Sequence, residues 1–504
     1  MRKGERIRYP KMNHMWRMAS KEQLEIIDNA AYHILREVGV HIDDKECIEY
    51  LKDAPVEIDE KELIVKFPEY WIREMIAKAP RTYVLAGRDP EWDLLVKNYH
   101  ESHFNLFTSG STKIYEWDDK IQQWNSRIPG EADVIRSHKM IDAIDAYDGF
   151  FGTPVEDVEK TNEGLPAELH TAYSKMKNCV KHGGPCAITE GAMTEWDYLG
   201  KLAAEVQGGF DELKKRPILA SLPSCIGPLQ STRQNFWATV GGAKYSMPTF
   251  PYWGGTAPFT GPSTAPAMVA MAMACTHYCI ALTQYLSPGT PSVPWPNTLT
   301  TDPNSGQLAM TPFLTIGDGF GAQIYQDLYG LPVAGCAYCL TSPLDEAGAA
   351  WALQLIEQVL WGVNVQQVGS TPQAFMFETI PMGETLVNYC KENIFQLTEN
   401  FLNITDEFLA LDLIKEVGPK GMFTTKPHTL KWIDPKHGLF WRSNDWIYEH
   451  SDQWLAKGAK TWTEVCRERL KELDKHEVTP PIDKDVDERC NALLKQADEE
   501  LALF

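Results

Sequence analysis

The 504-residue chain lacks several features that would have named a chemistry outright. No run of roughly 18–20 apolar residues is free of polar interruption, so no membrane-spanning helix is expected. The longest candidate, Ala265–Leu286, carries Thr276, His277, Thr283 and Gln284 and reads as a buried helix. The basic first twenty-one residues have no apolar centre, so no secretory leader is expected. Lysine and arginine are outnumbered 48 to 69 by acids, giving a net charge of −21. Such a surface repels phosphate backbones and argues against a nucleic-acid partner. The thirteen histidines form no HxH or HExxH spacing, so no metal site is expected. No Ser-His-Asp set, phosphate-binding P-loop or dinucleotide fingerprint stands in a believable context. The eleven cysteines are scattered through predicted helices and strands, as in a reduced, cytoplasmic protein rather than a disulfide scaffold.

What is present is a rhythm. Eight strand-like runs, each followed by a helix-like stretch, lie at residues 103–107, 150–154, 185–189, 217–222, 248–253, 292–295, 331–340 and 364–369. Several begin at proline (Pro185, Pro217, Pro248), where a missing N–H spends no ladder donor. Eight strand–helix units predict an α/β fold, a TIM-like (β/α)8 barrel. Helices are expected over 133–147, 166–181, 193–206, 231–243, 313–328, 345–361 and 384–400, with one more over 406–417 stopped by Gly418-Pro419. Residues 1–100 read as an α+β extension, opened by a helix that Ser20 and Gln23 cap at 20–38. Residues 101–440 read as the barrel, and 441–504 as a helical tail packed on its outside.

In such barrels chemistry sits at the strand ends. There Phe250, Tyr252 and Trp253 close the fifth run, Trp295 closes the sixth, and Tyr338 lies near the end of the seventh. Phe375 and Phe377 follow the eighth. Aromatic faces are the physical answer to a quaternary ammonium, which has no N–H to donate and is held by ring quadrupoles. The other reading of the same residues is barrel packing. His103 stands on the first barrel strand, and Asp345 and Glu346 follow the seventh at the rim, where helix-dipole compensation would also explain two acids. Gln367, on the eighth run, is a further rim candidate. The loop Gly254–Thr264 runs into the apolar helix and offers either an anion-binding helix start or an ordinary cap at Ser263 or Thr264. Cys336 and Cys339 have CxxC spacing, but within a strand residues three apart face opposite ways. Cys275 and Cys279 read as structural, and His428 as a packed or surface residue.

Three blocks then resemble a known family: Ile34-Leu-Arg-Glu-Val-Gly-Val-His-Ile42; Gly261-Pro-Ser-Thr264 with Ser287-Pro-Gly-Thr-Pro291; and Thr405-Asp-Glu-Phe-Leu-Ala-Leu-Asp-Leu-Ile-Lys-Glu-Val-Gly418 with Gly421-Met-Phe423 and His428-Thr-Leu430. Together they are similar to the trimethylamine methyltransferase superfamily, nearly end to end. The resemblance implies a TIM-like barrel and transfer of a methyl group from an amine to the Co(I) corrinoid (a cobalamin-type group) of a partner corrinoid protein. Members acting on trimethylamine carry pyrrolysine near the seventh strand, whereas Leu340-Thr-Ser-Pro-Leu-Asp345 holds only standard residues. The chain therefore resembles the non-pyrrolysine branch, which demethylates quaternary amines. Glycine betaine is the leading expectation, with proline betaine, carnitine and γ-butyrobetaine as alternatives. Cys275 stands where the family often has an acid, and Pro343 interrupts a usually charged pattern.

The expected ligand-binding residues are Phe250, Tyr252, Trp253, Trp295, Tyr338, Phe375 and His103. The expected corrinoid-facing rim is Asp345, Glu346 and Gln367. A homo-oligomer is expected. Two competing readings remain at this point: a barrel decarboxylase or lyase, and a non-catalytic barrel that binds betaine or docks the corrinoid protein.

Overall fold

The computed structural model describes residues 16–97, 103–108, 113–152, 167–186, 193–309, 311–337, 344–369, 376–434, 443 and 446–501. Helices and strands alternate through most of that length. The front section is α+β. Its first helix, Lys21–Glu37, starts at a capping box in which Ser20 and Gln23 satisfy each other's backbone N–H groups. Three short strands, Val40–Ile42, Glu57–Asp59 and Ile64–Lys66, follow and pair antiparallel.

The parallel pairings beyond residue 103 carry the middle of the chain. Phe104–Thr108 lies between Val365–Gly369 and Gly149–Phe150, and Ala334–Ala337 pairs with the far side of Val365–Gly369. Pro185–Cys186 pairs with Ala220–Ser221, and Ser224–Cys225 with Tyr252–Trp253. Single parallel bridges join Gly149 to His182, Ser221 to Thr249, Thr249 to Ser292 and Tyr252 to Trp295. The Ala334 N–H donates to the Pro294 carbonyl at 2.9 Å. Several ladders are only two residues long. The cause is visible in the sequence: Pro223, Pro248, Pro251, Pro291, Pro294 and Pro296 have no N–H to give.

These strands separate two apolar regions. On one side lies a cluster of Leu106, Ala220, Phe250, Val293, Trp295, Ala334, Cys336 and Val365. On the other side are helices. Ala265–Leu286, long and apolar enough to cross a bilayer, has 78% of its most apolar window buried here. It packs against the helices Lys21–Glu37, Glu69–Lys78, Arg233–Lys244 and Pro312–Ile324. A polar knot ties it to the front section: His277 Nε2 lies 2.9 Å from Asp28 Oδ1, and Tyr329 donates to Asp28 Oδ2 at 2.6 Å.

One end of the strand-enclosed cluster is stoppered. The hairpin Tyr83–Leu85 and Leu94–Val96 places Tyr83, Leu85, Leu94 and Val96 in that same cluster. It is tied to strand starts, because the Ala86 N–H donates to Pro217 O at 3.0 Å and the Asp89 N–H to Val180 O at 3.1 Å. Arg216 clamps the hairpin through Asp93 at 2.7 Å.

The last two helices, Trp462–Leu473 and Lys484–Leu501, lie on the helix layer. The first packs on Thr379–Phe395 and the second on Met193–Gln207. Their buried faces (Cys466, Leu470 and Leu473; Cys490, Leu494 and Ala497) repeat every three to four residues. Asp406–Val417, expected as one helix, is two: Asp406–Leu409 and Leu411–Val417 break at Ala410, which adopts a left-handed φ of 46°.

Candidate active site

Backbone ladders hold the rings of the enclosed cluster in place. The Phe250 N–H donates to Ser221 O at 2.9 Å, Tyr252 N–H to Pro223 O at 2.9 Å, Trp295 N–H to Pro251 O at 2.8 Å, and Phe151 N–H to Phe107 O at 2.6 Å. Period-two alternation then puts Phe250 and Tyr252 on one face of their strand, and Val293 and Trp295 on the same side of the next. The rings meet. Tyr252 and Trp295 have centroids 4.5 Å apart at 50°. Phe151 stands edge-on to Trp295 at 5.5 Å and 89°, and 6.4 Å from Phe250. Phe250 and Trp295 are buried, while Phe151 and Tyr252 are half-buried and form the more open side of the group.

Two carboxamides share this region. Gln367 is fully buried, and neither its Nε2 nor its Oε1 has a hydrogen-bond partner. Its register neighbours are Cys336 and Leu106, both members of the enclosed cluster, so its side chain belongs to the same face. Asn297 is also fully buried; its Nδ2 donates to the Tyr252 hydroxyl at 3.3 Å, and its Oδ1 has no partner. A buried amide without partners costs about 1–3 kcal/mol. Gln367 carries that cost at both of its polar atoms, and Asn297 at its oxygen alone.

The chain after Asn297 is held tightly. Thr298 donates from its backbone N–H to Asp318 Oδ1 at 2.9 Å and from its hydroxyl to Leu314 O at 3.1 Å. The helix Pro312–Ile324 reaches it only because Gly317 has no side chain: a Cβ there would sit 2.2 Å from Thr298 Oγ1. Burial pushes the Asp318 carboxyl up to about 8, against the pull of the Thr298 hydrogen bonds, so it is largely protonated at neutral pH.

Several expected site residues stand elsewhere. Trp253, one position beyond Tyr252, faces the helix layer and packs in the core that contains Cys225, Cys275 and Cys279. His103 precedes its strand, at the end nearer the stoppering hairpin, where its Nδ1 lies 2.7 Å from the Val363 carbonyl. Burial drives that imidazole down to about 4, the Val363 contact pulling the other way. Gln367 is enclosed between strands rather than on a rim. Glu346 is exposed in the first turn of Leu344–Leu360, the next described element after the strand Ala334–Ala337. Tyr338, Phe375 and Cys339 lie outside the described residues, as does the side chain of Asp345. The loop Gly254–Thr264 does precede the helix Ala265–Leu286, and Thr264 is its N-cap residue without a side-chain bond. Among the described residues no group of three or more His, Cys, Asp or Glu is arranged to hold a metal ion. Phe151 and Asn297 were not singled out from sequence. Asn297 sits two positions past Trp295, which was, and Phe151 falls inside the strand-like run at 150–154.

Rings, the unpartnered amide of Gln367 and the unpartnered Oδ1 of Asn297 are thus gathered between parallel strands of an α/β framework. The model of the trimethylamine methyltransferase (MTTB) family matches residues 3–502, and the chain belongs to that family. The trimethylamine methyltransferase MttB of Desulfitobacterium hafniense (strain DSM 10664 / DCB-2) is 25% identical over 500 residues, covering 95% of this chain and 94% of its own length. MttB of Methanosarcina barkeri (strain Fusaro / DSM 804) is 25% identical over 489 residues, with the same coverage of 95% and 94%. The glycine betaine methyltransferase of Desulfitobacterium hafniense (strain Y51) is 24% identical over 505 residues, covering 98% of each chain. Among solved structures, a hydroxylamine complex of MtmB superposes with a TM-score of 0.51 at 12% identity, over 93% of this chain and 90% of that one. That likeness is one of fold.

Proposed function

We propose that this protein transfers a methyl group from a quaternary amine carrying a carboxylate, with glycine betaine as the leading case, to the Co(I) corrinoid of a partner corrinoid protein. We read the parallel pairings as a TIM-like (β/α)8 barrel over residues 101–440, with the extension at 1–100 stoppering its strand-start end and the tail at 441–504 packed outside. The observation that supports the reading is the meeting of Phe151, Phe250, Tyr252 and Trp295 beside the unpartnered amide of Gln367 and the unpartnered Oδ1 of Asn297. A betaine has two ends, and this site has two chemistries. Rings suit the methylated ammonium, each face contributing about 0.5–2 kcal/mol. Carboxamide N–H groups suit the carboxylate, and no net charge is needed because the ligand is itself neutral overall. Membership of the family and the likeness to a relative named glycine betaine methyltransferase support the same direction.

The chemistry asks little acid–base help of the protein. In a quaternary ammonium the nitrogen already bears the charge that makes it a leaving group. When the methyl moves to the cobalt nucleophile, the N–C bond breaks and its electron pair stays on nitrogen, leaving a neutral tertiary amine. Trp295, Tyr252 and Phe151 orient one N–CH3 bond toward the open strand ends and exclude water. Gln367 and Asn297 hold the far end. As the positive charge leaves the amine, the rings lose their attraction for it, which favours release of the product. Glu346, with Asp345 beside it, stands where an incoming corrinoid protein would meet the strand ends. The ten described cysteines form no disulfide with one another, which suits a reducing cytoplasm.

The test is direct. The purified chain is mixed with a Co(I) corrinoid protein and, in separate reactions, glycine betaine, proline betaine, carnitine, tetramethylammonium or trimethylamine, and the visible spectrum of the corrinoid is followed. A change with glycine betaine and a weaker one with tetramethylammonium are expected. Turnover of trimethylamine alone would overturn the quaternary-amine reading, and no change with any methylated amine would overturn methyl transfer itself.

A further inference from the structure

The turn between Trp295 and Leu299 makes few backbone bonds of its own. Pro294 and Pro296 bring no N–H groups, and the Asn297 N–H closes back on the Trp295 carbonyl at 2.9 Å. Parallel pairing resumes at Leu299, which lies opposite Thr256 as Trp295 lies opposite Tyr252. What fixes the turn is the helix Pro312–Ile324. Gly317 and Gly321, about one helical turn apart, face it. A Cβ at Gly317 would lie 2.2 Å from Thr298 Oγ1, and one at Gly321 2.5 Å from Pro296 Cγ. Glycine weakens a helix interior, yet this helix carries it at both points of contact.

Asp318, next to Gly317, completes the hold. Its Oδ1 accepts the Thr298 N–H at 2.9 Å and lies 3.3 Å from the Thr298 hydroxyl. The side chain is buried, and its Oδ2 has no hydrogen-bond partner. An acid is a costly way to satisfy one N–H, because its second oxygen is left unpaired. Burial keeps the group largely protonated, so it takes the Thr298 N–H without setting a negative charge beside the site.

We propose that Asp318 is a positioning residue: by anchoring Thr298 it holds Asn297 where the amide meets the carboxylate end of a betaine, and so favours quaternary amines that carry a carboxylate over those that do not. The inference rests on the quaternary-amine reading given above and adds to it the residue that sets this preference. Asn297 Nδ2 bears two protons, and it donates to the Tyr252 hydroxyl at 3.3 Å. Its other proton is available to a carboxylate oxygen. Tyr252 packs on Trp295 with ring centroids 4.5 Å apart, so a turn that slipped would carry the amide away from its place beside the rings. Asp318 thus acts at one remove, through Thr298 on Asn297.

Calorimetry with glycine betaine and tetramethylammonium tests this, together with hydrogen exchange at the Thr298 amide of the ligand-free chain. Asp318→Leu removes the acceptor. It should lower glycine betaine affinity about tenfold and leave tetramethylammonium affinity within about twofold. Asp318→Asn keeps an acceptor oxygen and should restore betaine affinity to within about threefold of wild type. Asn297→Ala should cost about tenfold for betaine, and adding Asp318→Leu to it should cost nothing further, because the group being positioned is already gone. The Thr298 amide should exchange at least about tenfold faster in Asp318→Leu and at the wild-type rate in Asp318→Asn. Should Asp318→Leu fail to fold, Gly317→Ala displaces Thr298 from the same side and carries the same expected selective loss. Equal losses for the two amines, additive losses in the double variant, or unchanged exchange in Asp318→Leu would each overturn the assignment. A wild type that binds neither amine would instead bring down the quaternary-amine reading, and exchange at Thr298 would then decide the anchor alone.

Discussion

The interior between the strands and the arm at 401–433 break the usual rules in opposite ways. Inside, polar atoms of Gln367, Asn297 and Asp318 are buried with hydrogen-bonding capacity unused. On the arm, large apolar side chains are exposed, with nothing among the described residues covering them. Each violation costs folding free energy, and each is relieved by something from outside. On the reading proposed above the interior suits a small ligand with a polar end, whereas the arm turns apolar side chains outward. An isolated chain stays marginally stable where it meets its partners, and the sign of the violation indicates what kind of partner that is.

The largest expected effect that tests this contrast concerns pH. The folded Asp318 carboxyl titrates at about 8, against 3.8 ordinarily. Its raised value means that the folded protein keeps a proton the unfolded chain gives up. The contribution is fully present below about pH 4 and is lost progressively up to about pH 8, with a slope of up to about 1.4 kcal/mol per pH unit. Asp318→Asn should flatten that decline in denaturant titrations at pH 5, 7 and 9; parallel curves for variant and wild type would remove Asp318 from the account.

Next in size is the ring group. Trp295→Leu should weaken betaine binding about 30-fold by calorimetry, the equivalent of about 2 kcal/mol for one well-desolvated cation–ring contact. Trp253→Leu, on the helix side of the same strands, should alter stability while leaving the affinity of the folded protein within about twofold. Equal loss of affinity in both would dissolve the distinction between the two faces.

Gln367→Leu should separate function from stability. Removing an unpartnered buried amide should raise stability by about 1 kcal/mol, while betaine affinity falls about tenfold and tetramethylammonium affinity holds. A drop for both ligands would mean that Gln367 shapes the pocket instead of binding the carboxylate. Smallest of all, Leu430→Gln on the arm should change the stability of the chain by less than about 0.5 kcal/mol, because that side chain is 60% exposed.

Much of the framework was legible in the sequence. The strand positions near 104, 150, 185, 220, 250, 292, 334 and 365 follow from short apolar runs between helical periods, and the structure has strands or parallel bridges at each. The prolines that marked those runs also shortened their ladders, which period counting does not foresee. The outward turn of Trp253 follows from strand alternation and was available in principle. The role of Gln367 was not, since only the register with Cys336 and Leu106 reveals which face it takes. Likewise Asp406–Val417 has the spacing of an amphipathic helix. Periodicity alone cannot say that its apolar side meets solvent, nor that Ala410 would break it.

The hairpin that stoppers the strand starts has a kinetic consequence. With Tyr83, Leu85, Leu94 and Val96 among the described residues filling that end, the proposed site is left to be entered from the other, C-terminal end of the strands. On the reading proposed above, amine and corrinoid must share it. Binding is then compulsory in sequence: the amine goes in first and the macrocycle closes over it. The spent amine waits until the macrocycle lifts away, and turnover can run no faster than that departure.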